Sequence, residues 1–314
     1  MSAIGLGCMG MSEFYGPGDE AESVATIRAA LDAGVTLVDT ADMYGPFTNE
    51  ELVGRAVAGR RQEVFLATKV GVVRGADPRA RSVDSTPAHV RSACEASLRR
   101  LGVEHVDLLY LHRRDPRVPV QDTVGAMAGL VEEGKVRYLG LSEVSADTLR
   151  QACEAAPISA LQSEYSLFTR GLEHAVLPAA RALGVAVVAY SPLGRGLLTG
   201  RMSAEAVGGL DPGDIRRSHP RFRADHLRPN LARVERLRAV AASAGATPAQ
   251  AALAWLLAQG PDVIPLPGTR RRDHLAENLG AVRLQLSAAR LAALRTRVGE
   301  ASGRRAPDLS RLEQ

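Results

Sequence analysis

The fold is indicated most clearly by residues 86–112, which read TPAHVRSACEASLRRLGVEHVDLLYLH. Thr86-Pro87 is a typical start for a helix, and Gly102 is a typical end. Between these two points, apolar residues recur at helical spacing, namely Val90, Cys94, Leu98 and Leu101. The apolar run Val106–Leu111 that follows is typical of a buried parallel strand. The stretch therefore predicts one helix followed by one strand.

The same alternation extends in both directions along the chain. Seven further segments rich in Val, Leu, Ile and Ala predict strands at 4–8, 37–39, 64–68, 136–141, 160–162, 185–190 and 263–266. Helices are predicted from about Glu20 to Gly34, around 120–130, from Ser145, up to Gly184, over 231–244 with Asn230 as N-cap, and over 248–258 with a capping box at Thr247 and Gln250. Eight such strands separated by helices favour an α/β fold, a parallel eight-stranded (β/α)8 TIM barrel.

An open, doubly wound sheet is the alternative architecture. Its dinucleotide fingerprint, GxGxxG, should follow the first strand. Gly5-Leu6-Gly7-Cys8-Met9-Gly10 matches that pattern, but its first glycines would lie inside the strand itself. We therefore interpret the match as chance and expect residues 1–314 to form a single barrel domain, with a tail from about residue 299 near the mouth.

Composition excludes several classes of protein. The 314 residues are 46% hydrophobic, 24% charged and 4% aromatic, which is typical of a globular domain and not of a disordered chain. No apolar run approaches the ~18 residues of a membrane span, and the start lacks the features of a signal peptide. These features predict a soluble cytoplasmic protein with no membrane partner, either a monomer or a weak homo-oligomer.

Cysteine spacing and charge exclude other ligands. Cys8, Cys94 and Cys153 show neither CxxC nor His-rich spacing, so we expect no disulfide framework and no metal site. The pI is about 9.2 and the net charge is +4, but the basic residues are scattered and few aromatic residues lie among them. We therefore expect no nucleic-acid partner.

Polar side chains stand at the carboxyl ends of the predicted strands, where the working groups of such barrels lie. They are Asp39 with Tyr44 five residues on, Lys69, His112, Ser142-Glu143, Gln162 and Tyr190-Ser191. Only two of the 39 basic residues are lysines, Lys69 and Lys135. This scarcity indicates that arginine does not serve at position 69.

A tyrosine, a lysine, an aspartate and a histidine at one mouth suit the reduction of a carbonyl group. As hydride reaches the carbonyl carbon, the oxygen gains negative charge and needs a proton, which Tyr44 can donate as general acid. A nearby ammonium group, Lys69, lowers the pKa of the phenol, and Asp39 keeps that ammonium charged and in place. His112 is expected to orient the carbonyl oxygen.

Three segments resemble the motifs of the aldo-keto reductase superfamily. They are LVDTADMYG at 37–45 with Asn49-Glu50 close behind, FLATK at 65–69, and DLLYLH at 107–112. The resemblance extends from about residue 4 to residue 278. It implies a barrel, NADPH as hydride donor, Tyr44 as general acid tuned by Lys69 and Asp39, and His112 as the group that positions the carbonyl.

The same resemblance implies where the cofactor binds. Ser142, Glu143 and Gln162 would bind the carboxamide, although many relatives have Asn in place of Glu143, and a carboxylate cannot donate to the amide oxygen. Tyr190 is similar to the residue that stacks on the nicotinamide ring. The pyrophosphate would lie against Ser191, Pro192, Leu193, Gly194 and Gly196. The adenosine 2'-phosphate and adenine would meet Gly268, Thr269, Arg270, His274, Glu277 and Asn278.

The predicted function is NADPH-dependent reduction of a small-molecule aldehyde or ketone to an alcohol. Two alternatives stay open, a nucleotide-binding regulatory protein resembling channel β-subunits and a reductase of keto-sugar nucleotides. We expect the substrate pocket to be walled by residues 11–18, Met43, Arg113-Arg114, 193–229 and the tail after Gly299. The resemblance departs at the start, because relatives usually carry a hairpin that covers the barrel floor before the first strand.

Overall fold

A computed structural model of the protein describes residues 1–75, 80–309 and 312–313. The strands are β1 (Leu6–Gly7), β2 (Leu37–Asp39), β3 (Phe65–Val70), β4 (Val72–Arg74), β5 (Arg81–Val83), β6 (Val106–Leu111), β7 (Val136–Ser142), β8 (Ile158–Glu164), β9 (Ala186–Tyr190) and β10 (Val263–Leu266). The α-helices are α1 (Glu20–Asp32), α2 (Thr48–Val57), α3 (Pro87–Leu101), α4 (Val120–Glu132), α5 (Ala146–Ala155), α6 (Val176–Ala182), α7 (Ala204–Gly208), α8 (Ala224–Ala242), α9 (Pro248–Leu257), α10 (Arg272–Gly280) and α11 (Ala288–Ala293).

Eight of the strands form one parallel sheet in the order β1-β2-β3-β6-β7-β8-β9-β10. The sheet closes on itself between β10 and β1, where Gly5 N donates to Pro265 O at 2.9 Å and Gly7 N donates to Pro267 O at 3.2 Å. A parallel bridge between Gly7 and Gly268 completes this seam. The (β/α)8 barrel expected from the sequence is therefore confirmed.

Strands β4 and β5 form a separate antiparallel hairpin between β3 and α3. This hairpin was not predicted from the sequence. Its Arg81 lines the cavity at the carboxyl end of the barrel, so the hairpin contributes to the wall of the site described below.

One helix begins earlier than the sequence predicts. A start at 231 with Asn230 as N-cap is wrong, because α8 begins at Ala224 and contains Pro229 in its second turn. Asn230 is buried, and its amide nitrogen donates to the carbonyl oxygens of Arg221 and Ser302, both at 3.0 Å. Asn230 therefore ties the chain after residue 299 to the barrel instead of capping a helix.

The interior of the barrel is filled by apolar side chains and not by solvent. Its members include Leu37, Ala67, Leu108, Tyr110, Ala160, Val188, Ile264 and Leu266. At the amino-terminal end of the barrel, Phe65 stacks on Tyr138 with ring centroids 5.9 Å apart. These two rings cover part of the floor, and the polar groups collect at the opposite end. Within the described residues, no helix combines the length and apolarity needed to cross a membrane.

Candidate active site

A cavity of about 570 Å³ opens at the carboxyl end of the barrel. Asp39 enters it from the end of β2, His112 from the residue after β6, and Ser142 from the end of β7. Gln162 of β8 and Tyr190 of β9 complete the wall on the other side. The residues expected at strand ends therefore converge on one mouth, as parallel strands of a barrel require.

Lys69 lies beneath the cavity and is fully buried. Its Nζ donates to Asp39 Oδ1, to the carbonyl oxygen of Thr40 at 2.8 Å and to Tyr44 Oη at 3.4 Å. All three ammonium protons therefore have an oxygen partner. Asp39 is fixed on its other side, because Gln162 Nε2 donates to Asp39 Oδ2 at 2.8 Å.

The loop that carries Tyr44 is held against the neighbouring strand. Thr40 N donates to Ala67 O at 2.9 Å and Asp42 N donates to Lys69 O at 3.1 Å. Buried Asn49 accepts from Thr40 Oγ1 at 2.7 Å. These hydrogen bonds fix the backbone of the loop, so Tyr44 is held over Lys69. The conformation of the loop therefore does not depend on side-chain contacts alone.

The buried ion pair keeps Lys69 charged. Burial lowers the pKa of the Lys69 ammonium, but the adjacent Asp39 carboxylate and the Tyr44 hydroxyl outweigh this effect, so the pKa is raised above its ordinary value. Asp39 supplies a full opposite charge in direct contact. Lys69 is therefore an ammonium cation next to the Tyr44 hydroxyl at neutral pH.

The pKa of the Tyr44 hydroxyl differs from the expectation that Lys69 lowers it below its ordinary value. Burial raises the pKa of Tyr44, Lys69 lowers it by less, and Asp39 opposes Lys69, so the pKa is raised. The phenol is buried and costly to ionise before reaction. Tyr44 therefore holds its proton throughout the neutral pH range.

His112 lies beside the Tyr44 ring in an edge-to-face arrangement, with centroids 5.8 Å apart. Burial and the nearby cations Arg113, Lys69 and Arg81 hold the pKa of His112 well below its ordinary value, so the imidazole is neutral. Its Nδ1 is buried and has no hydrogen-bond partner among the described residues. As a neutral imidazole, His112 carries one N–H donor and one acceptor nitrogen.

Most of the residues expected to hold the cofactor line the cavity. They are Ser142, Gln162, Tyr190, Ser191, Pro192, Leu193, Gly196, Gly268, Thr269, Arg270, His274, Glu277 and Asn278. Gly194 and Glu143 are not in the lining. Gly194 is buried, and a Cβ added to it would lie 3.4 Å from the Phe168 side chain and 3.6 Å from that of Leu198.

The expectation that Glu143 faces the carboxamide is corrected by its contacts. Glu143 has a left-handed backbone with a φ of +57°, and its Oε1 accepts from Glu164 N at 2.8 Å. Its Oε2 forms an ion pair with Arg305 Nη1 at 2.6 Å. The carboxylate is therefore turned towards the chain after residue 299, away from the cavity.

Three arginines of the cavity wall were not predicted as site residues, namely Arg195, Arg201 and Arg216. They lie within residues 193–229, which were expected to wall the pocket without any single position being chosen. Arg271, which follows Arg270 in the chain, also lines the cavity. A group of guanidinium donors in a cavity wall suits a phosphorylated ligand.

Arg270 also holds a loop in place, in addition to the contact with the adenosine end of the cofactor that is expected for it. Its Nη1 and Nη2 donate to the carbonyl oxygens of Gly16 and Tyr15, both at 3.1 Å. Arg270 therefore holds the loop after β1 over the cavity while its side chain lines the wall.

Comparison with known proteins agrees with this geometry. The sequence profile of the Aldo/keto reductase family matches residues 3–297. A Glycine max protein named "Probable aldo-keto reductase 1" is 45% identical over 289 residues, which cover 91% of this chain and 82% of that protein.

Solved structures give the same result. The glycerol dehydrogenase from Gluconobacter oxydans matches with a TM-score of 0.84 and 33% identity, covering 95% of this chain and 91% of its own. An aldo/keto reductase from Klebsiella pneumoniae, solved in complex with NADP and acetate, matches with a TM-score of 0.77 and 31% identity, covering 98% and 95%. With a family profile matched over 3–297 and a relative 45% identical, the chain belongs to the aldo/keto reductase family of oxidoreductases.

Proposed function

We propose that the protein reduces an aldehyde or ketone to an alcohol, with NADPH as the hydride donor and Tyr44 as the general acid. The observation that carries the proposal is the contact of the buried Lys69 ammonium with both Asp39 and Tyr44 at the cavity that His112 lines. Perturbed titratable groups that converge in one cleft are typical of catalytic sites.

Tyr44 supplies the proton, and Lys69 stabilises the negative charge that develops on the phenol oxygen. NADPH, when bound, supplies the hydride, so the carbonyl carbon is reduced and the cofactor is oxidised to NADP⁺. The carbonyl oxygen then carries negative charge and takes the proton from Tyr44 Oη. This transfer is downhill even though the pKa of Tyr44 is raised, because an alkoxide is a stronger base than a phenolate.

Lys69 acts mainly after the proton has begun to move. In the resting site it faces a neutral phenol, which gains little from a cation 3.4 Å away. As negative charge develops on the phenol oxygen, the attraction to the ammonium grows within a buried environment. Lys69 therefore stabilises the transition state more than the ground state, which is what raises a rate.

We infer that His112 holds the carbonyl oxygen. Its neutral imidazole can donate one hydrogen bond without competing to supply the proton, because the pKa of His112 lies well below its ordinary value. A neutral donor of this kind orients the oxygen towards Tyr44 and stabilises its developing charge.

The lining of the cavity fits a phosphorylated dinucleotide. Ser142 and Gln162 would hold the carboxamide, Tyr190 would pack against the nicotinamide ring, and the loop 191–196 would meet the pyrophosphate. Thr269, Arg270, Arg271, His274 and Asn278 would hold the adenosine end with its extra phosphate. The related Klebsiella pneumoniae protein in complex with NADP supports this choice of cofactor.

The test is a spectrophotometric assay of NADPH oxidation with a panel of aromatic and aliphatic aldehydes, ketones and keto-sugar nucleotides, with the alcohol product identified by mass. We expect turnover of at least one simple aldehyde. Tight NADPH binding with no turnover of any carbonyl compound would contradict the proposal and favour a nucleotide-binding regulatory protein. Turnover confined to keto-sugar nucleotides would favour that narrower activity.

A further inference from the structure

Arg113 occupies a central position in the cavity wall that the chemistry described so far does not use. It follows His112 directly and lines the cavity together with Tyr44 and Ser142. Its Nη1 donates to the carbonyl oxygen of His112 and to Ser142 Oγ, the latter at 2.9 Å. The side chain is therefore held in place and only partly exposed.

Within the described part of the chain, the charge of Arg113 is not balanced by an acid. Among the described residues, no carboxylate lies within 4 Å of its guanidinium, and its two acceptors are neutral oxygens. Arg201, Arg216 and Arg271, by contrast, each contact a carboxylate at 2.6 to 2.7 Å. A half-buried cation with only neutral partners loses hydration without gaining an ion pair, so a ligand anion would stabilise it.

Arg113 belongs to the end of the cavity where the carbonyl must lie. Arg113 donates to the carbonyl oxygen of His112, and its charge also affects the pKa values of Tyr44 and His112. Burial raises the pKa of Tyr44 and lowers that of His112, and Arg113 lowers both. Its field therefore reaches the proton donor and the group that holds the carbonyl oxygen.

The remaining wall at this end is apolar and aromatic. Phe14 meets the Tyr44 ring edge to face, with centroids 6.4 Å apart, and Met9 and Met43 pack in the same cluster. Arg81 lies over the other side of Phe14, with Cζ 5.1 Å from the ring centroid. The substrate end thus combines a flat apolar surface with a cation beside the reacting groups.

We propose that Arg113 selects carbonyl substrates that bear a carboxylate, and that it binds this carboxylate while the aldehyde or ketone group lies between Tyr44 and His112. This inference rests on the proposed reductase activity. A planar guanidinium matches a carboxylate in geometry and charge, and the partners of Nη1 leave Nη2 and Nε for the ligand. Arg113 is thus a specificity-determining residue.

The test compares charged and neutral aldehydes of the same shape. The three carboxybenzaldehyde isomers place a carboxylate at three positions around one ring, and the three formylbenzamides are their neutral counterparts. With the wild type, we expect kcat/KM for the preferred carboxybenzaldehyde to exceed that of its amide by about 10- to 100-fold. In Arg113→Gln this ratio is expected to fall towards one, mainly through a higher KM for the acid.

Two further arms separate recognition from a structural effect. Arg150→Gln removes the same charge from the outer face of the barrel, where Arg150 forms an ion pair with Asp147, and should keep the wild-type ratio. If Arg113 serves only to hold Ser142, Arg113→Gln will lower kcat/KM for acid and amide equally. That result would overturn the inference, as would a wild type with no preference for any of the three acids.

The outcome also separates this inference from the activity on which it rests. Turnover of the neutral amides without a preference for the acids would leave the reductase activity intact and remove the inference about Arg113. Absence of turnover with every aldehyde would instead remove the proposed activity itself.

Discussion

Lys69 is the residue on which the site depends, and its surroundings show why arginine could not replace it. Its ammonium fits in a fully buried space and reaches Asp39, Thr40 and Tyr44 at once. A guanidinium is larger and planar, so it would not point three donors into the same volume. The scarcity of lysine in the sequence pointed to this position, and the partners of the ammonium could come only from the structure.

The protonation states of Tyr44 and His112 give a prediction for the pH profile. Reduction requires the acid form of Tyr44, whose pKa is raised by burial, so activity is full below that pKa and lost only as pH rises through it. His112 must be neutral, and its pKa is well below the usual value of about 6.5. The single-turnover rate of aldehyde reduction should therefore stay nearly constant between pH 6 and 9. A required titration within this range would instead change the rate by about tenfold per pH unit.

The measurement is rapid mixing of the enzyme–NADPH complex with saturating aldehyde across that range. An inflection near pH 6.5 would show that His112 titrates in the working range and would contradict its assignment as a neutral donor. A loss of rate that begins below pH 9 would show that Lys69 dominates the pKa of Tyr44.

Contacts between neighbouring helices test the packing around the barrel. Gly54 of α2 lies against the end of α3, where an added Cβ would be 2.6 Å from Leu101 O and 2.9 Å from Leu101 C. These atoms belong to the backbone, so the two helices would have to separate. We expect Gly54→Ala to destabilise the protein by about 1 to 3 kcal/mol and to lower Tm.

Gly125 of α4 is the matched control for this substitution. It is exposed in a helix, and an added Cβ would meet nothing within 4 Å. Gly125→Ala should stabilise by about 0.5 to 1 kcal/mol through helix propensity alone. Thermal unfolding by differential scanning calorimetry measures both changes. Equal Tm values for the two variants would show that α2 and α3 are not in close contact.

Elements with strong periodicity and clear end signals could be predicted from the sequence. The helix Pro87–Leu101 and the strand Val106–Leu111 agree with the structure in both bounds. The early start of α8 was missed because a proline usually lies in the first turn of a helix, whereas Pro229 lies in the second turn. The β4–β5 hairpin was missed because its three-residue strands are too short to show a period.

For the candidate site, the positions of the residues in the fold could be predicted from the sequence better than the surroundings of their side chains. Asp39, Tyr44, Lys69 and His112 could be placed at strand ends because a barrel fixes which ends share a mouth. The raised pKa of Tyr44 could not be predicted, since it depends on burial by residues distant in sequence. The orientation of Glu143 is set by its ion pair with Arg305, a contact that spans more than half the chain.

At the scale of the whole molecule, the fold collects arginines in the cavity wall, although the basic residues are scattered along the sequence. Among the residues that the structure describes, seven arginines line it, at 81, 113, 195, 201, 216, 270 and 271. If those near His274 meet the extra phosphate of NADPH, salt should weaken NADPH more than NADH, because added ions screen the additional charge.

Titration of cofactor fluorescence between 0.05 and 0.5 M NaCl measures this difference. We expect the Kd of NADPH to rise more steeply with salt than the Kd of NADH. Parallel slopes for the two cofactors would contradict the placement of the 2'-phosphate against the arginines and would restrict their role to the pyrophosphate.

The most direct test of the central assignment is the single-turnover rate of hydride transfer in Tyr44→Phe. This substitution removes only the hydroxyl and keeps the ring against His112 and Phe14. If Tyr44 donates the proton, the rate of aldehyde reduction at saturating NADPH should fall by about 100- to 10,000-fold while NADPH binding is retained. A variant that reduces the aldehyde at close to the wild-type rate would contradict Tyr44 as the general acid.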